Sequence, residues 1–127
     1  MTKRAAPLET EEDLHLIKEC VLLPILLDAL ERDLSVLGKT PLKMGAFYSM
    51  LLRRAQDQIT MDLVRLRKQM RAHGLKIYEE RRTELGVEAH YLCRGYHHKC
   101  SMLWGYVRAE LHTRLSAYFN MEWRGTL

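Results

Sequence analysis

MDLVRLRKQMRAHGLKIYEERRTELGVEAHYLCRG, residues 61–95, holds a helix, a stop and a pair of strands in succession. Leu63, Leu66 and Met70 recur at steps of three and four, the spacing of one α-helical face. Arg65, Arg67, Lys68 and Arg71 fill the positions between them, and no acid occurs from Leu63 to Tyr78. Gly74 ends the pattern, as glycine does where a helix closes in a left-handed conformation. Leu75–Arg82 and Val87–Arg94 then read as strands, rich in Tyr, Ile and Val, with Val87, Ala89, Tyr91 and Cys93 alternating onto one face. Thr83-Glu84-Leu85-Gly86 supplies the turn, with Gly86 in the left-handed position that ends the loop. The stretch predicts a basic helix that leads into a β-hairpin.

Upstream, Thr40-Pro41 predicts the start of this second helix, a cap residue followed by proline at the first helical position. Tyr48, Leu52, Ala55, Ile59, Leu63, Leu66 and Met70 form its core stripe. A span of about 33 residues is long against a mean helix of about 11 or 12, so it is one extended arm or it breaks within Ala55–Met61. The first helix begins at the N-cap Thr10, with acids in its first turn where the helix dipole favours them, and closes at Gly38. Leu16, Cys20, Leu23, Leu27, Leu30, Leu34 and Leu37 follow one another as a heptad seam, while Leu14, Ile17, Val21 and Ile25 make a second apolar face. A helix apolar nearly all round must be buried on more than one side. The expectation is a homodimer with Leu16, Cys20, Leu23, Leu27, Leu30 and Leu34 in the interface; the alternative is an intramolecular bundle with this helix at its centre. Pro24 predicts a kink.

Downstream, a last helix is expected from His97 or Ser101 to Asn120, with Leu103, Val107, Leu111, Leu115 and Tyr118 facing inward. Tyr91, Tyr96, Trp104, Tyr106 and Tyr118 read as core where that helix covers the hairpin. Residues 1–8 read as a loose basic arm and residues 121–127 as a frayed tail that Trp123 pins. The expected architecture is a single mostly helical α+β domain over residues 1–127: two long antiparallel helices, a β-hairpin and a C-terminal helix.

Composition narrows the function. Of 127 residues 47% are hydrophobic and 28% charged, which is globular rather than disordered. The longest apolar run, Cys20–Leu27, contains Pro24 and falls well short of the roughly 18 residues a membrane span needs. Lys3 and Arg4 are followed by Glu9, Glu11, Glu12 and Asp13 rather than by the apolar core of a signal peptide, so a cytoplasmic location is expected. Cys20, Cys93 and Cys100 are too few for a disulfide scaffold and read as reduced thiols. The net charge of +4 is divided unevenly: residues 9–33 hold eight acids against Lys18 and Arg32, a net of −6, and residues 1–8 hold +2, which leaves +8 from Leu34 onward.

The metal candidates are His90, Cys93, His97 and Cys100, with His98 beside them, a thiolate and imidazole mixture that zinc accepts. Zinc ligands usually come as two close pairs across a longer loop, whereas these crowd together, so no metal or other cofactor is expected. There is no phosphate-binding glycine loop, no nucleophile elbow and no H-E-x-x-H, and a non-enzymatic role is expected. The pattern LVRLRKQMRAHGLKIYEE with VEAHYL resembles the recognition helix and wing of a winged-helix fold over about a quarter of the chain. That resemblance implies a helix in the major groove and a ribbon on adjacent phosphates. The two departures are a missing turn signal in Ala55–Met61 and the acids Glu79, Glu80, Glu84 and Glu88 in the wing. The functional expectation is a small regulatory or nucleic-acid-associated protein that contacts the phosphates of DNA or RNA through Arg65, Lys68, Arg71, Lys76, Arg81 and Arg82. A homodimeric helical protein-interaction module is the alternative, in which the basic helix only answers its acidic neighbour.

Overall fold

The computed structural model describes residues 9–125, in the order α1 (Glu11–Gly38), α2 (Gly45–Ala72), β1 (Leu75–Arg82), β2 (Gly86–Cys93), β3 (Tyr96–Leu103) and α3 (Trp104–Tyr118). The fold is α+β and mostly helical, as expected. The arm assigned to residues 1–8 lies outside the described residues.

The start of α1 is set locally. The Thr10 hydroxyl accepts from the Asp13 amide at 3.0 Å, and the Asp13 carboxylate accepts from the Thr10 amide at 3.0 Å, so two orphan donors are satisfied reciprocally. From there α1 runs through Pro24 as one continuous helix to Gly38. Proline has no N–H to give, so the Cys20 carbonyl lacks its helical donor at that turn.

The heptad seam is satisfied inside one chain. Leu16, Cys20, Leu23, Leu30 and Leu34 are buried by the molecule's own elements, and Leu27 is half-buried against the same core. The second face, Ile17, Val21 and Ile25, is buried as well. Helix α1 therefore sits at the centre of an intramolecular core, with α2, the sheet and α3 around it. The burial that pointed to a subunit interface along this seam needs no second copy.

Helix α2 packs antiparallel to α1, which places Gln56 beside Glu31 and His73 beside Asp13. It begins at Gly45 rather than at Thr40-Pro41. The Thr40 hydroxyl donates backward to the Val36 carbonyl at 2.7 Å, so Thr40 satisfies the end of α1 instead of capping α2. Ala55, Ile59, Leu63, Leu66 and Met70 are the buried stripe. The helix is unbroken through Ala55–Met61, so the turn between two helices that a winged helix requires does not form.

The sheet is a three-stranded antiparallel meander, β1-β2-β3, and not a bare hairpin. Residues 96–103, read from sequence as loop and helix start, form the third strand. Arg94 (φ 50°) and Gly95 (φ 89°) make a two-residue left-handed turn that pairs Cys93 with Tyr96 and returns the chain along β2. A bulge in β1 between Ile77 and Glu79 leaves Tyr78 out of the pairing register. Gly86 is required for a reason other than a left-handed turn: a side-chain carbon there would lie 2.0 Å from the Met102 carbonyl oxygen of β3. Val87, Ala89, Tyr91 and Cys93 face the core with Cys100 and Met102. Val107 of α3 is buried, and Leu111, Leu115 and Tyr118 pack beside it, whereas Leu103 is exposed at the end of β3. Of the aromatic group, Tyr91 is core and Trp104 and Tyr118 pack against it, while Tyr96 and Tyr106 face solvent. Trp123 stacks on His112 with ring centroids 4.4 Å apart.

Candidate polyanion-binding face

Three acids of α1, Asp13, Glu19 and Asp28, find arginine partners in the second half of the chain. Asp13 is fully buried, and Arg94 Nη2 donates to it at 2.6 Å. That hydrogen bond, ahead of the opposing effect of burial, holds the Asp13 carboxyl far below the usual carboxylate range. Arg94 also donates to the His73 carbonyl at 2.8 Å, and the Cys93 thiol lies 3.8 Å from the same carboxylate. Gly74 suits this geometry: a side-chain carbon there would sit 2.9 Å from Arg94 Cγ, and its φ of +70° favours glycine. Further along α1, Arg114 of α3 pairs with Glu19 and also reaches Glu110 at 2.8 Å. Asp28 is met by Arg82 at 3.3 Å.

The basic residues at the end of α2 are left out of this matching. Arg65, Arg67, Lys68 and Arg71 are exposed; Arg65 and Lys68 lie away from the buried Leu63, Leu66 and Met70, and Arg67 and Arg71 flank Met70. Among the described residues Arg65 has one neighbouring acid, Asp62 one turn earlier at 3.5 Å, and Lys68, Arg71 and Lys76 have no ion pair. None of the four meets a carboxylate of α1. The β1 arginines behave differently. Arg81 is taken by Glu79 at 2.7 Å, and Arg82 by Asp28 and by Glu80 at 3.9 Å. Of the six positions named from sequence, Arg65, Lys68 and Arg71 lie on the exposed surface at the end of α2 with Lys76 just beyond it, and Arg81 and Arg82 are engaged at home.

A groove of about 500 Å³ runs beside that surface, where α1, α2 and β1 meet. Its walls are Cys20 and Pro24, Arg67, Met70 and Arg71, and Leu75, Lys76, Ile77 and Glu80. Three cations thus stand over an apolar floor with one carboxylate opposite. Arg67, which was not among the six phosphate-contacting positions expected from sequence, belongs to this group. Its helical position one turn before Arg71 was the available signal.

The zinc candidates do not converge. Cys93 and Cys100 lie on the inner face of the sheet, and the alternation of β2 and β3 puts His90 and His97 on the outer face. There Tyr78 bonds His97 Nδ1 at 3.0 Å, and His90 lies 3.4 Å from Glu88. Among the described residues no group of three or more His, Cys, Asp or Glu side chains is placed to hold a metal ion. All three thiols are buried and free, and burial raises each, Cys20 to about 11, so they are protonated at neutral pH. No helix among the described residues is long and apolar enough to cross a membrane.

A family model described as YhjD protein matches residues 8–122, and the chain belongs to the YhjD family. No curated protein and no solved structure matches it.

Proposed function

We propose that this YhjD-family protein is a non-enzymatic, cytoplasmic polyanion-binding protein whose ligand is the phosphate backbone of a nucleic acid. Arg65, Arg67, Lys68, Arg71 and Lys76 make the contact; the groove beside Arg67 and Arg71 seats one phosphate, and the outer band of α2 takes its neighbours. The observation that carries this reading is that α1 meets other arginines, Asp13 pairing with Arg94, Glu19 with Arg114 and Asp28 with Arg82, and none of the cations at the end of α2. Cations without internal partners keep their full attraction for phosphate. For the alternative, a protein-interaction module in which the α1 seam recruits a partner, the burial of that seam within one chain is the observation against it.

The test is fluorescence anisotropy of a short labelled duplex at low salt. The full chain binds, and the Arg65→Ala/Lys68→Ala/Arg71→Ala variant loses most of the affinity, with the salt slope falling by about one for each cation removed. An undetectable complex, or a triple variant that binds like the parent, defeats the proposal.

A further inference from the structure

The end of the helical hairpin far from the sheet has no core. No residue from 35 to 50 is buried, and Val36, Leu42, Met44, Phe47, Tyr48 and Met50 are each between 43% and 56% exposed. Single apolar side chains on a surface are ordinary, but six at one end of the molecule form a patch of the kind that marks an interaction site. The body of the protein reaches the hairpin at Leu51, Arg54 and Ala55, which share a cleft with Tyr118, Phe119 and Asn120. Residues 35–50 project beyond it, and nothing among the described residues covers them. Residues 1–8 extend at most about 28 Å and join α1 at its opposite end, about 42 Å away along a helix of 28 residues.

Charge at this end identifies the partner. From Leu34 to Gln56 the chain holds Lys39, Lys43, Arg53 and Arg54 and no acid. All four are exposed, and none is in an ion pair among the described residues. The flanking acids, Asp33 and Asp57, are set back from the tip along α1 and α2. Cations and apolar side chains are interleaved over one surface, so the partner is negative and apolar at once. A nucleic-acid backbone supplies the charge and has no use for the apolar side chains. A second copy brings the same positive excess. An acidic protein would need a concavity to receive a projecting tip. An anionic lipid bilayer offers both layers in the right order, phosphates outside and hydrocarbon beneath.

We infer that residues 36–54 are a peripheral docking surface for an anionic lipid bilayer. Leu42, Met44 and Phe47 enter the boundary between headgroups and acyl chains, to a depth of about 5–10 Å, and Lys39 and Lys43 reach back to the phosphates by their long stems. Arg53 and Arg54 follow Phe47 by about 9–10 Å along α2, which sets them at headgroup level. The contact is with one leaflet and is not a span. It is independent of the nucleic-acid reading, since the polyanion face lies at the other end of α2.

Vesicle flotation of the full chain tests it, with phosphatidylcholine alone against phosphatidylcholine mixed with phosphatidylglycerol. The chain floats with the anionic vesicles and stays behind with the neutral ones. Lys39→Ala/Lys43→Ala lowers the partition coefficient about 30-fold, from about 1 kcal/mol for each cation near the surface. Phe47→Ser/Met50→Ser lowers it by at least about tenfold, and circular dichroism stays unchanged because both positions are exposed. The Arg65→Ala/Lys68→Ala/Arg71→Ala variant floats like the parent, and Phe47→Ser/Met50→Ser binds the duplex like the parent, so the two faces are read separately. No flotation with anionic vesicles overturns the inference, including where the tip instead captures an acidic protein or a second copy. So does flotation indifferent to Phe47→Ser/Met50→Ser, because charge alone, or the polyanion face, then meets the lipid.

Discussion

Arg94 and Arg114 carry the same guanidinium as Arg65 and Arg71, and they occupy opposite situations. The first pair reaches across the chain to carboxylates of α1, one of them wholly buried. The second pair stands in water on a helix whose exposed cations meet no carboxylate of α1. A charge that neutralises a buried partner is structure. A charge left over is available for a ligand. The +8 of the chain beyond residue 34 divides along this line, and the division is invisible in a count of charges.

The largest effect expected is on the structural side. Arg94→Ala leaves the Asp13 carboxylate inside the protein without its main partner, and the thermal midpoint falls on the order of 10 °C. Should the midpoint hold, Asp13 does not depend on Arg94 and the comparison breaks. A pH series sharpens the same point. The folded Asp13 carboxyl titrates below its unfolded value of about 3.9, so its stabilisation is complete above that value and is lost as pH falls from there toward the folded value. The midpoint of the parent therefore drops more steeply below about pH 4 than that of Asp13→Asn. Equal slopes in differential scanning fluorimetry mean that another carboxylate dominates.

Arg114→Ala comes next, at about 2 kcal/mol by urea denaturation, because Glu19 and Glu110 lose a shared donor in a part-buried site. The Arg65→Ala/Lys68→Ala/Arg71→Ala variant costs about 0.5 kcal/mol or less per position while duplex affinity collapses. A large stability loss here would place these residues with Arg94. The smallest effect belongs to Arg82→Ala. Its pair with Asp28 is exposed on both sides, and a double-mutant cycle with Asp28→Ala returns about 0–1 kcal/mol.

Much of the fold could be read from sequence because its signals are local. The Thr10 cap with acids behind it, the Gly74 stop, the apolar stripe of α2 and the alternation of Val87, Ala89, Tyr91 and Cys93 all act within a few residues. The third strand was missed because the polar run His97-His98-Lys99 masks the inward pair Cys100 and Met102, and because Arg94 is an unusual residue for a left-handed turn. Arg94-Gly95 between two alternating runs was the readable clue. The seam of α1 was seen correctly as buried, but its partners could not be. Heptad spacing reports that a face is covered and says nothing about whether the cover is the same chain. The candidate site was half legible. Its cations stood out by spacing, yet which of them were free depended on contacts such as Asp13–Arg94, between residues 81 positions apart.

The division between matched and unmatched guanidinium groups can be observed directly by nitrogen-15 NMR of the arginine side chains. The account predicts slowly exchanging, shifted N–H signals for Arg94 and Arg114, and rapidly exchanging, solvent-like signals for Arg65, Arg67 and Arg71 that sharpen or shift when a short duplex is added. Protected signals from Arg65 and Arg71 in the free protein would contradict it, because those charges would then already be spent.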